Sequence, residues 1–263
     1  MKIIVCIKQV PDTEALGLVR INPETNTLIR NEVPSIINPF DENALEEALR
    51  LREKQGGKVT VITMGPPQAE EALRKSLAKG ADEAILISDR AFAGSDTLAT
   101  SHTLAATIKK IGTFDLILFG KQAIDGDTAQ VGPGVAEWLN LPQITYVRKI
   151  EIVEGKVRAE RILEDAFEIV ETRLPAVVTV TKEINEPRYA SMRGVLKARK
   201  AEILLWKAAD LGLDEKKVGR DGSPTQVIRI FTPLPRGKGE ILEGSIPAQV
   251  DLLVNKLRKE KII

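Results

Sequence analysis

Residues 120–133 read GKQAIDGDTAQVGP, a stretch that gathers two carboxylates, Asp125 and Asp127, around one cation, Lys121. An apolar run, Leu116 to Phe119, precedes it, and a helical pattern, Val135 to Leu139, follows. A helix that starts after such a loop presents free backbone N–H groups with partial positive charge, a chemistry that suits phosphate or pyrophosphate. Gly126 and Gly132 let backbone approach a ligand closely. The residues also allow a plainer outcome. Asp127 and Gln130 have capping-box spacing and could close the helix with nothing bound. Pro133 is tolerated best in a first turn, which moves the helix start toward Gln130 and frees 125–130 as loop. The stretch is neither a Walker sequence nor GxGxxG.

Other reactive side chains are scarce. Cys6 is the only cysteine and lies in an apolar run, as a buried structural thiol would. Disulfides and cysteine-rich metal sites are excluded, and no metal site is expected. His102 is the only histidine and shares a helical stripe with Leu98 and Ala105, a packing or surface position. Demanding chemistry would therefore need a bound cofactor. Lys and Arg number 38 against 37 Asp and Glu, so charge gives no argument for nucleic acid. No apolar run reaches membrane-span length, so no membrane insertion is expected. The start, MKIIVCIKQV, lacks a signal-peptide pattern, which makes a cytoplasmic protein the simplest expectation.

The first half alternates strand and helix patterns: strands at 3–7, 58–64, 83–88 and 115–119, and helices at 41–55, 68–79 and 95–111. Asp41 and Ser95 are the expected caps of the first and third helices. INPETNTLIR (21–30) predicts a hairpin around Pro23–Asn26. Apolar strands separated by amphipathic helices imply an α/β fold, a doubly wound, mostly parallel sheet covered on both faces. Ligands in such sheets sit beyond the strand carboxyl ends where strand order reverses. That makes 8–13, 64–67 and 120–133 the candidate walls, with SIINPFD (35–41) beside them. Strand order itself does not follow from the pattern.

After residue 143 the expectation is added antiparallel strands, two in 144–163 joined by Glu154-Gly155 and two more in 168–184. The chain turns polar and irregular from Asn185, and 200–246 holds too few apolar residues for a core of its own. An amphipathic helix from Pro247 to Lys259 closes it. The organisation expected is an α/β domain over 1–185, then a polar segment and extended C-terminal arm over 186–263.

Three stretches resemble the β subunit of electron transfer flavoprotein: GKQAIDGDTAQVGP, INPFDENALEEALRL (37–51) and RLPAVVTVTKEINEPRYASMRGVLKAR (173–199). The similarity runs in order over residues 1–205 and loosens beyond. It implies a fold of the adenine-nucleotide-binding type and a heterodimer with an α subunit, on which the C-terminal arm would lie. In ordinary members this subunit holds AMP, the working FAD sits on α, and electrons arrive from acyl-CoA dehydrogenases and leave to a quinone oxidoreductase. In electron-bifurcating members it holds a second FAD that takes hydride from NADH and divides the pair between a high-potential acceptor and ferredoxin or flavodoxin. The form DGDTAQVGP, with VPDT (10–13), NPETNTLIR (22–30) and FAGSDTLATS (92–101), resembles the bifurcating branch.

Carried over from the family, Cys6, Asn38, Pro39, Phe40, Asp41 and Met64 fall at nucleotide contacts, together with Asp125, Gly126, Asp127, Thr128, Ala129, Gln130, Val131 and Gly132. Ser95, Asp96 and Thr97 either meet NADH or flavin or simply start a helix. Lys8 and Arg188 are candidates to favour a reduced, anionic flavin. NEPRYASMRGVLKARK resembles the partner-recognition loop, with Met192 as an apolar anchor and Arg188, Tyr189 and Arg193 around it. A nucleotide-sensing module without redox function is the remaining class.

Overall fold

A computed structural model describes residues 1–12, 21–22, 27–28, 34–228 and 239–263. Residue 13 of the VPDT motif and the turn 23–26 lie outside the described residues, as do 229–238. The strands and helices follow in chain order: β1 (Lys2–Cys6), β2 (Gln9–Pro11), β3 (Ile21–Asn22), β4 (Thr27–Leu28), β5 (Ser35–Ile37), α1 (Pro39–Gln55), β6 (Lys58–Met64), α2 (Glu70–Lys79), β7 (Glu83–Ile87), α3 (Thr97–Ile111), β8 (Leu116–Gly120) and α4 (Val131–Leu139). Then come β9 (Gln143–Val153), β10 (Lys156–Ile162), β11 (Phe167–Arg173), β12 (Ala176–Val180), α5 (Met192–Lys200), β13 (Leu204–Trp206) and α6 (Ile246–Lys259).

The main sheet runs β11-β10-β9-β12-β8-β1-β6-β7-β13. Every neighbouring pair from β9 to β13 is parallel, and β9-β10-β11 form an antiparallel meander at the other end. The alternation of side chains along β1 explains the two faces. Ile3 and Val5 enter the core with Leu45 and Leu49 of α1 and Leu73 of α2. Ile4 and Cys6 point to the other face, with Leu104 and Ile108 of α3 and Val135 of α4. β3 and β4 pair antiparallel as the hairpin reading expects, Ile21 opposite Leu28.

Four local expectations are corrected. β12 is not antiparallel: AVVTV is buried along its whole length and sits between β8 and β9, parallel to both, where an apolar strand with both faces covered belongs. Residues after 200 do contribute to the core. β13 joins the edge of the sheet beside β7, and Ala208 and Val218 are buried, because an edge segment can borrow its neighbours' core. Asn38, not Asp41, stands at the start of α1, since Pro39 occupies the first helical position. Asp96, not Ser95, caps α3: its Oδ1 accepts from Leu98 N at 2.9 Å and Ala99 N at 3.1 Å.

The segment that reads as irregular also contains α5. Ser191 caps its start by accepting from Gly194 N at 3.0 Å, and the Arg74 guanidinium binds Ala198 O at 2.8 Å at its end, a cation on a helix C-terminus. Residues 1–228 make one compact unit. The second, 229–263, carries α6, with Ile246, Val250 and Leu253 spaced along one side. No helix of the described residues is long and apolar enough to cross a membrane.

Gly194 lets α5 lie on α2, because a methyl there would overlap the Ala78 carbonyl oxygen. Gly194→Ala should lower stability by about 1–3 kcal/mol through overpacking. Thermal unfolding checks this, and an unchanged midpoint would mean that α5 can lift away freely.

Candidate functional site

The sheet reverses order between β1 and β8. From β1 the chain steps outward to β6 and β7, then crosses to β8 on the other side of β1. The loops after β1 and β8 therefore part at their carboxyl ends and leave a crevice, the position where doubly wound sheets take ligands.

The first turn of α1 ties these loops together. Asp41 Oδ2 accepts from Lys8 N at 2.8 Å and Oδ1 from Gly120 N at 3.0 Å, one backbone donor from each side. Any side chain at position 120 would collide with Phe40 and Asp41, so glycine at the end of β8 is what allows the approach. Asn38, fully buried, donates to Gln122 O at 2.8 Å and accepts from Ile124 N at 3.1 Å. β2 and β5 pair antiparallel beside them, joining the 8–12 and 35–41 segments. Lys8 Nζ reaches Asp125 at 2.6 Å across the switch point.

Beyond Ile124 the loop holds Asp127 at φ 55° and Ala129 at φ 54°, left-handed conformations that cost a non-glycine residue roughly 1–2 kcal/mol. Gly126 and Thr128 are exposed between and beside them. The capping box does not form. Asp127 is engaged by the Gln122 amide, and Gln130 Oε1 accepts from Thr97 Oγ1 at 3.1 Å instead of serving its own helix. α4 starts at Val131 with Gln130 before it and no side-chain cap. Its first N–H groups are left for another acceptor. The loop is thus strained and the helix start uncapped, two features found together at candidate ligand sites.

The structure thus brings Asn38, Phe40, Asp41 and residues 125–132 together, and Thr97 joins them through Gln130. Pro39 begins α1 at the same corner. Gly132 is buried against Thr179. Cys6 and Met64 end the neighbouring strands β1 and β6 within one apolar cluster. Burial, and then the charge of Asp41, push the Cys6 thiol well above its ordinary pKa, which leaves it unreactive. Ser95 bonds to Phe92 O at 2.8 Å. Asp96, besides capping α3, receives Thr225 N at 3.1 Å and Thr225 Oγ1 at 2.8 Å.

Other residues have partners of their own or point outward. His102 packs against Trp138 with ring centroids 4.7 Å apart and planes inclined by 50°, on an open cavity of about 400 Å³ edged by Lys216 and Lys217. Lys121 Nζ lies 5.5 Å over the Phe40 ring and 5.4 Å over Tyr146, held by aromatic faces. Arg188 is bound to Glu46 and Glu53 on α1. Tyr189 and Met192 are 96% and 80% exposed, and Arg193 is exposed beside them. Sequence reasoning missed the roles of Gln122, Gly120 and the Lys8–Asp125 pair. Their only linear signal is position, at the ends of apolar strands.

Fold and crevice define a doubly wound α/β protein whose switch point is lined by backbone donors, amides and small side chains. Residues 25–211 match the family described as electron transfer flavoprotein domain. The chain is 54% identical to the electron transfer flavoprotein subunit beta of Thermoanaerobacterium thermosaccharolyticum, over all of both chains. It is 51% identical to the caffeyl-CoA reductase-Etf complex subunit CarD of Acetobacterium woodii, again over all of both. It is 48% identical to protein FixA of Azorhizobium caulinodans over 99% of this chain and 95% of that one. The chain belongs to the electron transfer flavoprotein family, among its β subunits.

Burial raises the Asp41 carboxyl from 3.8 to about 7, against the bonds from Asn38, Lys8 N and Gly120 N that lower it. The fold favours the protonated form, so this stabilisation is complete below 3.8 and lost as pH rises through about 7. Stability should therefore decline across that interval, and Asp41→Asn should flatten the decline. Denaturant titrations at several pH values check it; an unchanged slope in the variant would assign the proton to another group.

Proposed function

We propose that this chain, paired with an α subunit, forms a flavoprotein electron carrier of the bifurcating type, with FAD in the crevice between the loops after β1 and β8. The uncapped start of α4 beside the strained, small-residue loop 125–130 carries this reading. The residues fit the group. Val131 and Gly132 would offer N–H donors to a pyrophosphate, and exposed Gly126 and Thr128 leave space beside it. Ser95 to Thr97 begin α3 at the same mouth, where Thr97 meets Gln130 and the nicotinamide nucleotide would enter. When bound, FAD supplies the redox chemistry: hydride from NADH, one electron toward a high-potential acceptor through the α-subunit FAD, and one toward ferredoxin or flavodoxin. The protein's own residues place the ligand; Asn38 and Asp41 hold the walls, and Lys8, paired with Asp125, spans them.

The segment Arg188–Arg193 belongs in this reading to the electron partner, an enzyme of the acyl-CoA dehydrogenase or quinone oxidoreductase kind. Tyr189 and Met192 protrude, and Arg193 and Lys197 are exposed nearby to steer an acidic partner. The similarity to CarD, a subunit of a caffeyl-CoA reductase-Etf complex, supports a partner that acts on CoA thioesters. The segment from 229 onward would lie on the α subunit, and the apolar side of α6 suits that role.

One observation favours a smaller ligand. The Lys8–Asp125 pair spans the switch point at 2.6 Å, a closure that AMP would tolerate better than FAD. Nucleotide extracted from the purified heterodimer decides between them. Two FAD and no AMP per heterodimer is the expected result; one FAD with one AMP would reduce this subunit to scaffold and docking surface. Thr128→Leu should lower nucleotide content, since it crowds the strained loop, and full occupancy in that variant would move the ligand elsewhere. Met192→Ala should slow electron transfer with the dehydrogenase and leave NADH oxidation intact, as read by flavin bleaching. An unchanged partner rate would return Met192 to a packing role.

A further inference from the structure

Tyr189 stands on a segment fastened to α1 by hydrogen bonds, and Met192 begins α5 three residues further on. Asn43 Nδ2 donates to Asn185 O at 2.8 Å, and Asn185 Nδ2 donates back to Asn43 O and to Glu47 Oε2, each at 3.0 Å. Arg188 follows. Its backbone N and Nε donate to Glu46 Oε2 at 3.1 and 2.8 Å, and Nη2 donates to Glu46 Oε1 at 3.1 Å. Nη1 and Nη2 also donate to the two oxygens of Glu53. A guanidinium has five N–H groups. Those of Arg188 are thus largely spent on α1.

The neighbouring cations behave differently. Arg193, Lys197 and Arg199 form no ion pair among the described residues. Glu46 is 4% exposed, on a helix pressed into the sheet by Leu45 and Leu49. Burial raises its carboxyl, but the bonds from Arg188 and Arg50 outweigh burial and hold it below the ordinary range. The clasp therefore stays charged at neutral pH. Apart from the single turn at Lys182–Ile184, the stretch between β12 and α5 has no regular structure, so these bonds decide where it lies.

We infer that Arg188, through Glu46 and Glu53, is a positioning residue that pre-sets Tyr189 and Met192 for the electron partner and does not itself touch that partner. The inference rests on the docking role given to Met192. A segment already in its bound conformation loses less entropy on association. Releasing it should weaken partner binding and leave transfer within the complex intact.

The test uses the assembled heterodimer with its cofactors and, as probe, an acyl-CoA dehydrogenase reduced by its acyl-CoA. Glu46→Gln and Arg188→Gln should each raise KM for the dehydrogenase about tenfold with kcat within about twofold, and the double variant should be no worse than either single one. Additive losses would overturn the inference, because they would mean that Arg188 meets the partner directly. Met192→Ala separates the two readings. If it raises KM while Glu46→Gln does not, positioning fails and docking stands. If Met192→Ala leaves KM unchanged, the docking reading fails and this inference with it. Should Glu46→Gln not fold, Glu53→Gln removes only the exposed half of the clasp and should raise KM about two- to threefold; a silent Glu53→Gln would then overturn the proposal.

Discussion

The crevice depends on the two-sided bond of Asp41. Its carboxyl group takes one backbone N–H from the loop after β1 and one from the end of β8, strands that are neighbours in the sheet but distant in the chain. The Gly120 donor is buried, and leaving it unmet would cost about 1–3 kcal/mol. The carboxyl group thus fixes the separation of the two loops and the depth at which α1 enters between them. Gly120 is the other half of the arrangement, since any Cβ there would push the helix away. Asn38 repeats the device one turn earlier, with its amide on both backbone groups of the Gln122–Ile124 stretch.

α1 is for that reason more than a layer over the sheet. Its first turn sets the crevice, its inner face supplies Leu45 and Leu49 to the core, and its buried carboxylates Glu47 and Glu46 hold Asn185 and Arg188. The ligand loop and the protruding segment are thereby referred to one rigid element. Few side chains in the crevice could carry chemistry themselves. That suits an electron carrier, in which the protein supplies position and electrostatics while a cofactor supplies the reaction. The backbone of 125–130 accepts conformational cost where a ligand would profit, and its side-chain caps are spent elsewhere, on Gln122 and Thr97.

Much of this could be read from the linear chain. The apolar runs at 3–7, 58–64 and 83–88 and the helices between them stand where expected, because burial on both faces leaves a continuous hydrophobic signal. Pro133 marked the start of α4 correctly, since proline is tolerated in a first turn. Cap residues were legible only approximately. Asp96 and Ser95 are both good caps, and the choice between them depends on Ser223 and Thr225 from a remote segment that engage Asp96.

The sequence by itself determined the α/β class and the family, and it marked 35–41 and 120–133 as neighbours of the strand ends, because these rest on local periodicity and on unbroken motifs. Only the tertiary structure decided the strand order, the parallel insertion of β12, the capture of β13 at the sheet edge and the pairing of Lys8 with Asp125. Each of these joins residues far apart in the chain, and their energies arise from backbone ladders, shared burial and charge proximity. A linear pattern records which residues want to be buried or bonded. It does not record with whom, because many pairings satisfy the same pattern and only the packed molecule selects one.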